Sequence, residues 1–419
     1  MKVLSLSSSD NEGGASIAAY RLHKGLRELG IDASMLVGTK NTDDPSVNFA
    51  FKSPKGSGKR RRRIDSLPLR MYPNRLNSLF SPSTVPESLR KKVIEYDPDI
   101  IHLHWVCDGF LRIETLREFK KPIVWTLHDM WAFTGGCHYD DECGRFRNLC
   151  GKCPLLKSQK EKDLSHRILK RKMNSWEKVN LTIVSPSRWL GECARESTLL
   201  GKREVKIIPN GIDVEKFKPV EKGVARNILN LSPTRKLILF GAMDSTSDKR
   251  KGFHYLRGAL QLLQKKWGGN AELVVFGASE PMPKPELGFK SHYMGTFRDE
   301  ISLAILYSAS DVIITPSIQE NLSNVVLEAL SCGTPTIAFH IGGMPDMIMH
   351  RENGYLARPF EIKDLAEGID WAIQNQGRLE SLSGEARKRI IAGFSLPNQS
   401  KTYRALYDDI LSRRTKRNL

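Results

Sequence analysis

Short apolar runs and helix-spaced apolar positions alternate along most of the chain. The run at residues 3–6 reads as a strand, and Ala18, Leu22, Leu26 and Leu29 then recur at helical spacing up to Gly30. Further strand-like runs fall at 31–37, 100–103, 123–127 and 181–184. A second series follows at 237–240, 273–276, 312–314 and 336–339, each run trailed by a helical pattern. Alternation of this kind predicts parallel, doubly wound sheets, because neighbouring parallel strands need a helical crossover between them. Two series predict an α/β chain of two Rossmann-like domains. Their boundary is expected in Ile208-Pro209-Asn210-Gly211-Ile212-Asp213, where turn residues cluster. Two segments break the alternation: a basic, turn-rich loop at 52–63 and a stretch at 135–160 with four cysteines and few apolar residues. Tyr403, Leu406, Tyr407 and Ile410 make the last segment an amphipathic helix that ends in a basic tail.

Composition narrows the partners. The 419 residues allow two to three domains, and 40% hydrophobic with 27% charged residues is ordinary for a globular protein. Lysine plus arginine exceed the acids by 65 − 47 = 18, a balance that suits an anionic partner. The apolar stretch after Met1 is too short for a signal-peptide core, and no charge-free apolar run spans a membrane, so a cytoplasmic location is expected. There the seven cysteines are expected as reduced thiols or metal ligands.

The candidate chemistry sits at turns after strands. Gly13-Gly14 lies between the first strand and first helix, where backbone can approach an anionic ligand. The spacing is not G-x-G-x-x-G, and no G-x-x-x-x-G-K-[ST] occurs, which disfavours dinucleotide oxidoreductases and phosphate-loop ATPases. The most informative segment runs from 312 to 328. A strand ends at Pro316, a loop carries Glu320, and Ser323 or Asn324 is expected to cap a helix. Glu328 then lies about one turn in, roughly 6 Å along the axis from Asn324. Two carboxylates thus flank a helix N-terminus able to hold phosphate. A nucleotide-diphospho-sugar fits, with sugar hydroxyls at one carboxylate, ribose at the other and diphosphate between; two solvated glutamates are the plain alternative.

Glu320 and Glu328, seven residues apart and followed by Ala329-Leu330-Ser331-Cys332-Gly333-Thr334-Pro335, resemble the Glu-x7-Glu signature of family-4 retaining glycosyltransferases. Gly13-Gly14, Pro209-Asn210-Gly211-Ile212-Asp213, Gly342-Gly343-Met344-Pro345-Asp346 and Asn353-Gly354-Tyr355-Leu356 resemble the family in the same order. Ile101-His102-Leu103-His104-Trp105 and Thr126-Leu127-His128-Asp129-Met130-Trp131, leading into the cysteine-rich segment, are most similar to colanic-acid-type bacterial polysaccharide glycosyltransferases. The resemblance implies a GT-B fold, two Rossmann-like doubly wound parallel-sheet domains facing across a cleft. The expected division is 1–208, acceptor-side and completed by a helix at 399–419, and 209–398, which binds the nucleotide-sugar.

By the same resemblance Glu320 orients the donor sugar, Glu328 holds the ribose, Lys251 meets the diphosphate, and His128 stands beside the sugar. Gly13, Gly14, Asn210, Arg250, Leu322, Ser323, Asn324 and Val325 complete the implied donor site. A lysine at the diphosphate would neutralise charge growing on the leaving group. One departure is Gly241-Ala242, where the family usually has an arginine; Arg250 is the candidate substitute. At least one of His102 and His104 is expected to be a satisfied core histidine. No catalytic cofactor is implied. The implied acceptor is a glycan or a polyprenyl-diphosphate-linked sugar in polysaccharide biosynthesis.

Cys137, Cys143, Cys150 and Cys153, spaced C-x5-C-x6-C-x2-C, suit one structural zinc that would offset the ordering entropy of a weakly apolar loop. Free thiols and a redox or iron–sulfur role are the alternatives. Lys59-Arg60-Arg61-Arg62-Arg63 is followed by apolar Ile64, Leu67, Leu69, Met71 and Leu76, a pattern for an anionic membrane surface, with Arg413, Arg414, Lys416 and Arg417 as a second basic patch. Nucleic acid is not expected, since no recognition helix or interleaved aromatic pattern accompanies the charge. The rival function classes are a zinc-bearing basic binding protein on a degenerate GT-B fold and a sugar phosphorylase or synthase of the same fold.

Overall fold

The computed structural model describes residues 1–51, 57–241, 248–277, 286–297 and 299–417. The chain divides into two compact units: Met1–Pro209 with Gln399–Leu419, and Asn210–Asn398.

Unit 1 is built on seven strands: β1 (Lys2–Ser9), β2 (Asp32–Thr39), β3 (Val47–Phe49), β4 (Ile100–Leu103), β5 (Ile123–Thr126), β6 (Leu181–Ser185) and β7 (Val205–Ile207). Their order is β3-β2-β1-β4-β5-β6-β7 and every pairing is parallel. β4 and β5 are buried at every position, which is why they read as unbroken apolar runs. The Gly14–Glu28 helix turns Ala18, Ala19, Leu22 and Leu26 inward. The Leu396–Arg417 helix brings Tyr403, Leu406 and Tyr407 onto Val3, Leu22, Ile100 and Val124, closing that face of the unit 1 core. Burial of each such side chain contributes about 1.5–3 kcal/mol.

Two expectations for unit 1 are corrected. Residues 52–63 were expected as a loop, but Ser57–Asp65 is helical, while 52–56 lie outside the described residues. Tertiary contacts fasten it. Arg61 donates through Nε to Gly109 O (2.8 Å) and through Nη2 to Pro86 O (3.0 Å), with its guanidinium 4.2 Å from the Phe51 ring centre. Buried Asp65 accepts the N–H groups of Ser83 and Thr84. The cysteine-rich segment likewise buries Phe146, Leu155 and Leu156 and contains a short 3-10 turn, Arg145–Arg147.

Unit 2 has six strands, β8 (Lys236–Gly241), β9 (Ala271–Phe276), β10 (Lys290–Tyr293), β11 (Val312–Thr315), β12 (Thr336–Phe339) and β13 (Gly354–Ala357). The order is β10-β9-β8-β11-β12-β13, again all parallel. Alternate residues feed two cores: Leu239, Ile313 and Leu327 on one face, Ile238, Ile314 and Leu260 on the other. In both sheets the strand order reverses once, between β1 and β4 and between β8 and β11. The carboxyl ends beside such a reversal form a crevice from which crossovers leave in opposite directions, the ordinary ligand position of doubly wound sheets.

Candidate active site

The reversal in unit 2 gathers Arg250, Lys251 and Glu320. β8 ends at Gly241, and Ala242 lies outside the described residues. The Lys249–Lys251 turn is capped by Asp248, whose carboxylate accepts Arg250 N–H (2.9 Å) and the Arg250 guanidinium (2.8 Å). Gly252 has φ 72°, and a Cβ there would collide with Pro316 O, so only glycine lets this turn pass against the end of β11. Ile318 N–H donates to Arg250 O (2.9 Å), locking turn to loop. Lys251 Nζ consequently meets Glu320 Oε2 at 2.8 Å, with the side chains 20% and 13% exposed. Burial would raise the Glu320 carboxyl. The charge and hydrogen bond of Lys251, with Arg250 and the Asn321 N–H, outweigh it and hold that carboxyl below its ordinary range. Gly342, at φ 51°, lets its loop close on Glu320 O, which accepts Gly343 N–H (3.2 Å).

The helix Asn324–Ser331 follows directly. Ser323 is its cap, its hydroxyl facing Val326 N–H at 3.5 Å, and Leu322 is buried beside it. Glu328 is buried on this helix and accepts from Tyr307 Oη (2.9 Å). The turn, the loop and the helix N-terminus therefore set one ammonium, one guanidinium and one carboxylate beside backbone N–H groups, with a second carboxylate one turn on. That arrangement can hold a diphosphate and hydroxyl groups on either side of it. Asn210 is buried at the opening of unit 2, on a segment held where Ile212 N–H donates to Phe394 O (2.8 Å).

Unit 1 holds the other predicted residues. Gly13 precedes the Gly14–Glu28 helix and accepts Ile17 N–H (3.1 Å). His128 follows β5, and burial pulls its imidazole down to about 4 against the opposing pull of Asp129. His104, just past the end of β4, places Nδ1 3.1 Å from His128 Nε2. His102 is the satisfied core histidine: Nδ1 meets Tyr407 Oη (2.7 Å) and Nε2 meets Thr126 Oγ1 (2.7 Å).

Sequence reading missed a second network beside His128. Asp129 Oδ2 accepts Trp105 Nε1–H (2.8 Å) and faces His138 Nδ1 (2.6 Å), Oδ1 accepts Trp131 N–H (2.8 Å), and His138 Nε2 meets Ser81 Oγ (2.9 Å). Burial opposes the Asp129 charge, but His138 and these donors keep its carboxyl low. Lys172 is buried with its ammonium on the carbonyls of Trp131 and Thr134 and over the Trp131 ring. Desolvation lowers it to about 7. The only sequence signal for these was the local polarity of a segment otherwise full of tryptophan.

The structure lends no support to the zinc expected at the cysteine segment. Among the described residues no group of three or more His, Cys, Asp or Glu side chains is arranged to hold a metal ion. Cys137, Cys143, Cys150 and Cys153 are free thiols, and burial pushes all four up, with neighbouring thiols adding to the shift at Cys137. Hydrogen bonds help to order the segment: Asp163 accepts Cys153 N–H (2.8 Å), Asp140 accepts Gly144 N–H (2.9 Å), and Thr134 Oγ1 donates to Cys137 O (2.5 Å).

Residues 12–216 match the model described as Glycosyltransferase Family 4, and residues 224–389 match Glycosyl transferases group 1. An uncharacterized glycosyltransferase of Methanocaldococcus jannaschii is 28% identical over 314 residues, covering 72% of this chain and 73% of its own. A putative colanic acid biosynthesis glycosyl transferase, WcaC of Escherichia coli K12, is 25% identical over 292 residues, covering 64% and 66%. Among solved structures, a sucrose-phosphate synthase from Thermosynechococcus elongatus superposes with TM-score 0.72 at 19% identity over 99% of this chain and 100% of that one. Anabaena HepE in complex with UDP-glucose superposes with TM-score 0.65 at 17% identity over 99% and 100%. At these identities the structural likeness is one of fold.

Proposed function

The chain belongs to the family 4 glycosyltransferases and has their GT-B fold, and from that premise we propose that it transfers a sugar, with retention of anomeric configuration, from a nucleotide-diphospho-sugar to a glycan or polyprenyl-diphosphate-linked acceptor. The observation that carries this reading is the Lys251–Glu320 pair at the carboxyl ends of β8 and β11. Departure of a nucleoside diphosphate places new negative charge on phosphate oxygen. Lys251 and Arg250 supply fixed positive charge there, next to the N-terminus of the Asn324–Ser331 helix. Glu320 orients hydroxyls of the transferred sugar. Glu328, braced by Tyr307, accepts from the ribose hydroxyls.

Two protein cations at the leaving group lead to a first expected result. Transfer from a nucleotide-sugar, followed by nucleoside-diphosphate release and by NMR of the product anomer, proceeds with retention and at full rate in EDTA. Loss of the rate in EDTA with recovery on magnesium or manganese, or an inverted product, contradicts it.

A polysaccharide role draws on the likeness to the colanic acid enzyme, and contact with an anionic membrane draws on the surface around Ser57–Asp65. Lys59, Arg60, Arg63 and Arg70 are exposed there, beside Ile64, Leu67, Leu76 and Met71, the last 64% exposed. Arg61 serves the fold instead, Arg62 lies 3.4 Å from Asp108, and Leu69 is buried rather than presented. Arg413 is paired with Glu204 and Asp409, and the side chains of Arg414, Lys416 and Arg417 lie outside the described residues. Each exposed basic residue near an anionic surface contributes about 1 kcal/mol, and salt weakens it. Co-sedimentation with anionic but not neutral liposomes is expected, falling when Lys59, Arg60 and Arg63 are made neutral. Equal pelleting with both lipids contradicts the membrane reading.

A further inference from the structure

Ser81, His138 and Asp129 form one hydrogen-bonded chain inside unit 1. Ser81 Oγ meets His138 Nε2 at 2.9 Å, and His138 Nδ1 meets Asp129 Oδ2 at 2.6 Å. The order is that of a hydrolase triad, but the burial runs the wrong way for a serine nucleophile. Ser81 and His138 are 1% and 2% exposed, and neither lines the small cavity just beyond the ends of β4 and β5. Asp129 does. Of the residues lining that cavity only Trp105, His128 and Asp129 are part-exposed, so these three form its mouth. The chain presents its carboxylate, not its hydroxyl.

A carboxylate offers about four acceptor positions. Oδ2 of Asp129 takes His138 Nδ1–H and Trp105 Nε1–H (2.8 Å), and Oδ1 takes Trp131 N–H (2.8 Å). One position on Oδ1 therefore remains open among the described residues. The cavity beside it has room for about one water-sized group. An ammonium there would leave two of its three donors without acceptors, and an anion would meet like charge. A hydroxyl donates its single proton and fits. Trp105 adds a half-buried indole at the mouth, its plane fixed by the Nε1 bond and by His138 at 5.4 Å between ring centres. An aromatic face beside a carboxylate matches a pyranose, whose C–H face is apolar and whose rim carries hydroxyls. We infer that Asp129 and Trp105 form a saccharide subsite of unit 1, in which one sugar hydroxyl donates to Asp129 Oδ1 and the ring lies on Trp105. No residue of unit 2 takes part in it. Calling the bound sugar the acceptor of transfer rests on the proposed function; the binding itself does not.

Nitrogen-15 NMR of the full-length, tryptophan-labelled protein reads the site without a nucleotide-sugar. The probes are methyl glycosides of the common hexoses and of their 2-acetamido forms. Trp105 Nε1–H is identified as the indole signal missing from Trp105→Phe. The expected result is a saturable shift of that signal by at least one glycoside in the millimolar range, and none by methylammonium. Asp129→Asn, which keeps the shape without the charge, weakens the binding about tenfold or more. No shift of any indole signal by any glycoside, a shift by methylammonium alone, or equal affinity in a folded Asp129→Asn protein overturns the inference; the first of these needs no variant to fold. Nucleoside-diphosphate binding by the unaltered protein, measured in parallel, separates the two readings. Glycoside binding without nucleotide binding overturns the proposed function alone, and nucleotide binding without glycoside binding overturns the subsite alone.

Discussion

Glu320→Ala lowers kcat by about 10²–10³-fold and leaves nucleoside-diphosphate affinity nearly unchanged, whereas Glu328→Ala weakens that affinity about tenfold and largely spares kcat. The split follows from where each carboxylate is held. Glu320 is fixed from both sides, by Lys251 at 2.8 Å and by the backbone of Gly343 on its carbonyl. A group so constrained is suited to hold a reacting sugar in one orientation, which counts in the transition state. Glu328 lies one turn into the following helix, buried and braced by Tyr307. In the proposed reading it meets a part of the donor that does not react, and uniform binding of that part appears in KM rather than in kcat. Tyr307→Phe acts in the same direction as Glu328→Ala but less strongly. Lys251→Ala is expected to resemble Glu320→Ala in kcat, and the double variant to fall well short of the product of the two losses, because the pair acts as a unit. Equal, small effects from Glu320→Ala and Glu328→Ala would leave both as structural carboxylates with no part in donor binding or transfer.

Acid should undo unit 1 early. His23 and His102 are buried neutral and His128 is part-buried, with imidazoles drawn down to about 4, 3 and 4, in each case chiefly by desolvation. The unfolded chain protonates the same groups near 6.5. Their folded values are depressed, so as pH falls below about 6.5 the unfolded state binds protons that the folded state does not. The stability present above that pH is lost progressively down to about 4. Each histidine contributes a slope of about 1.4 kcal/mol per pH unit in that window, an upper figure for three together of about 4. From pH 6.5 to 5 this sums to about 6 kcal/mol at most, comparable with the low end of an ordinary stability of about 5–15 kcal/mol, so the unit is expected to lose much of its stability near pH 5. Urea unfolding followed by tryptophan fluorescence is the check, since Trp105, Trp125, Trp131, Trp176 and Trp189 all lie in unit 1. His23→Gln, which keeps a donor for the Ser46 contact at 2.8 Å, should flatten the slope by one proton. Stability unchanged between pH 7 and 5 contradicts this account.

The central strands were legible because burial on both faces writes them as apolar runs: β1, β4, β5, β8, β11 and β12 all show it. The outer strands β3, β7 and β10 did not stand out. They are three to four residues long and half exposed, so Val-Asn-Phe, Val-Lys-Ile and Lys-Ser-His-Tyr carry little pattern. The Ser57–Asp65 helix was hidden by its composition, since contacts from Arg61 and Asp65 to residues far along the chain hold it. The spacing of Glu320 and Glu328 was visible as sequence, and so was the lysine. What braces them was not: Tyr307 and Gly342 are separated from these carboxylates by about twenty residues and reach them only through the fold. His102 and His104 carried a readable signal, because residues two apart on a strand share a face and can stack. The hydrogen bonds that order the cysteine segment, from Asp140, Asp163 and Thr134, carry no signal in its cysteine spacing.

Equilibrium titration of nucleoside diphosphates and their sugar conjugates, spanning the common bases, into the unaltered protein and into Glu328→Ala and Lys251→Ala tests the central claim most directly. The account predicts saturable binding of one nucleoside diphosphate by the unaltered protein and weakening of about tenfold or more in each variant, with salt reducing what remains in the Lys251→Ala protein less than in the parent. Binding of no nucleoside diphosphate in the panel, or binding that both substitutions leave unchanged, would contradict it.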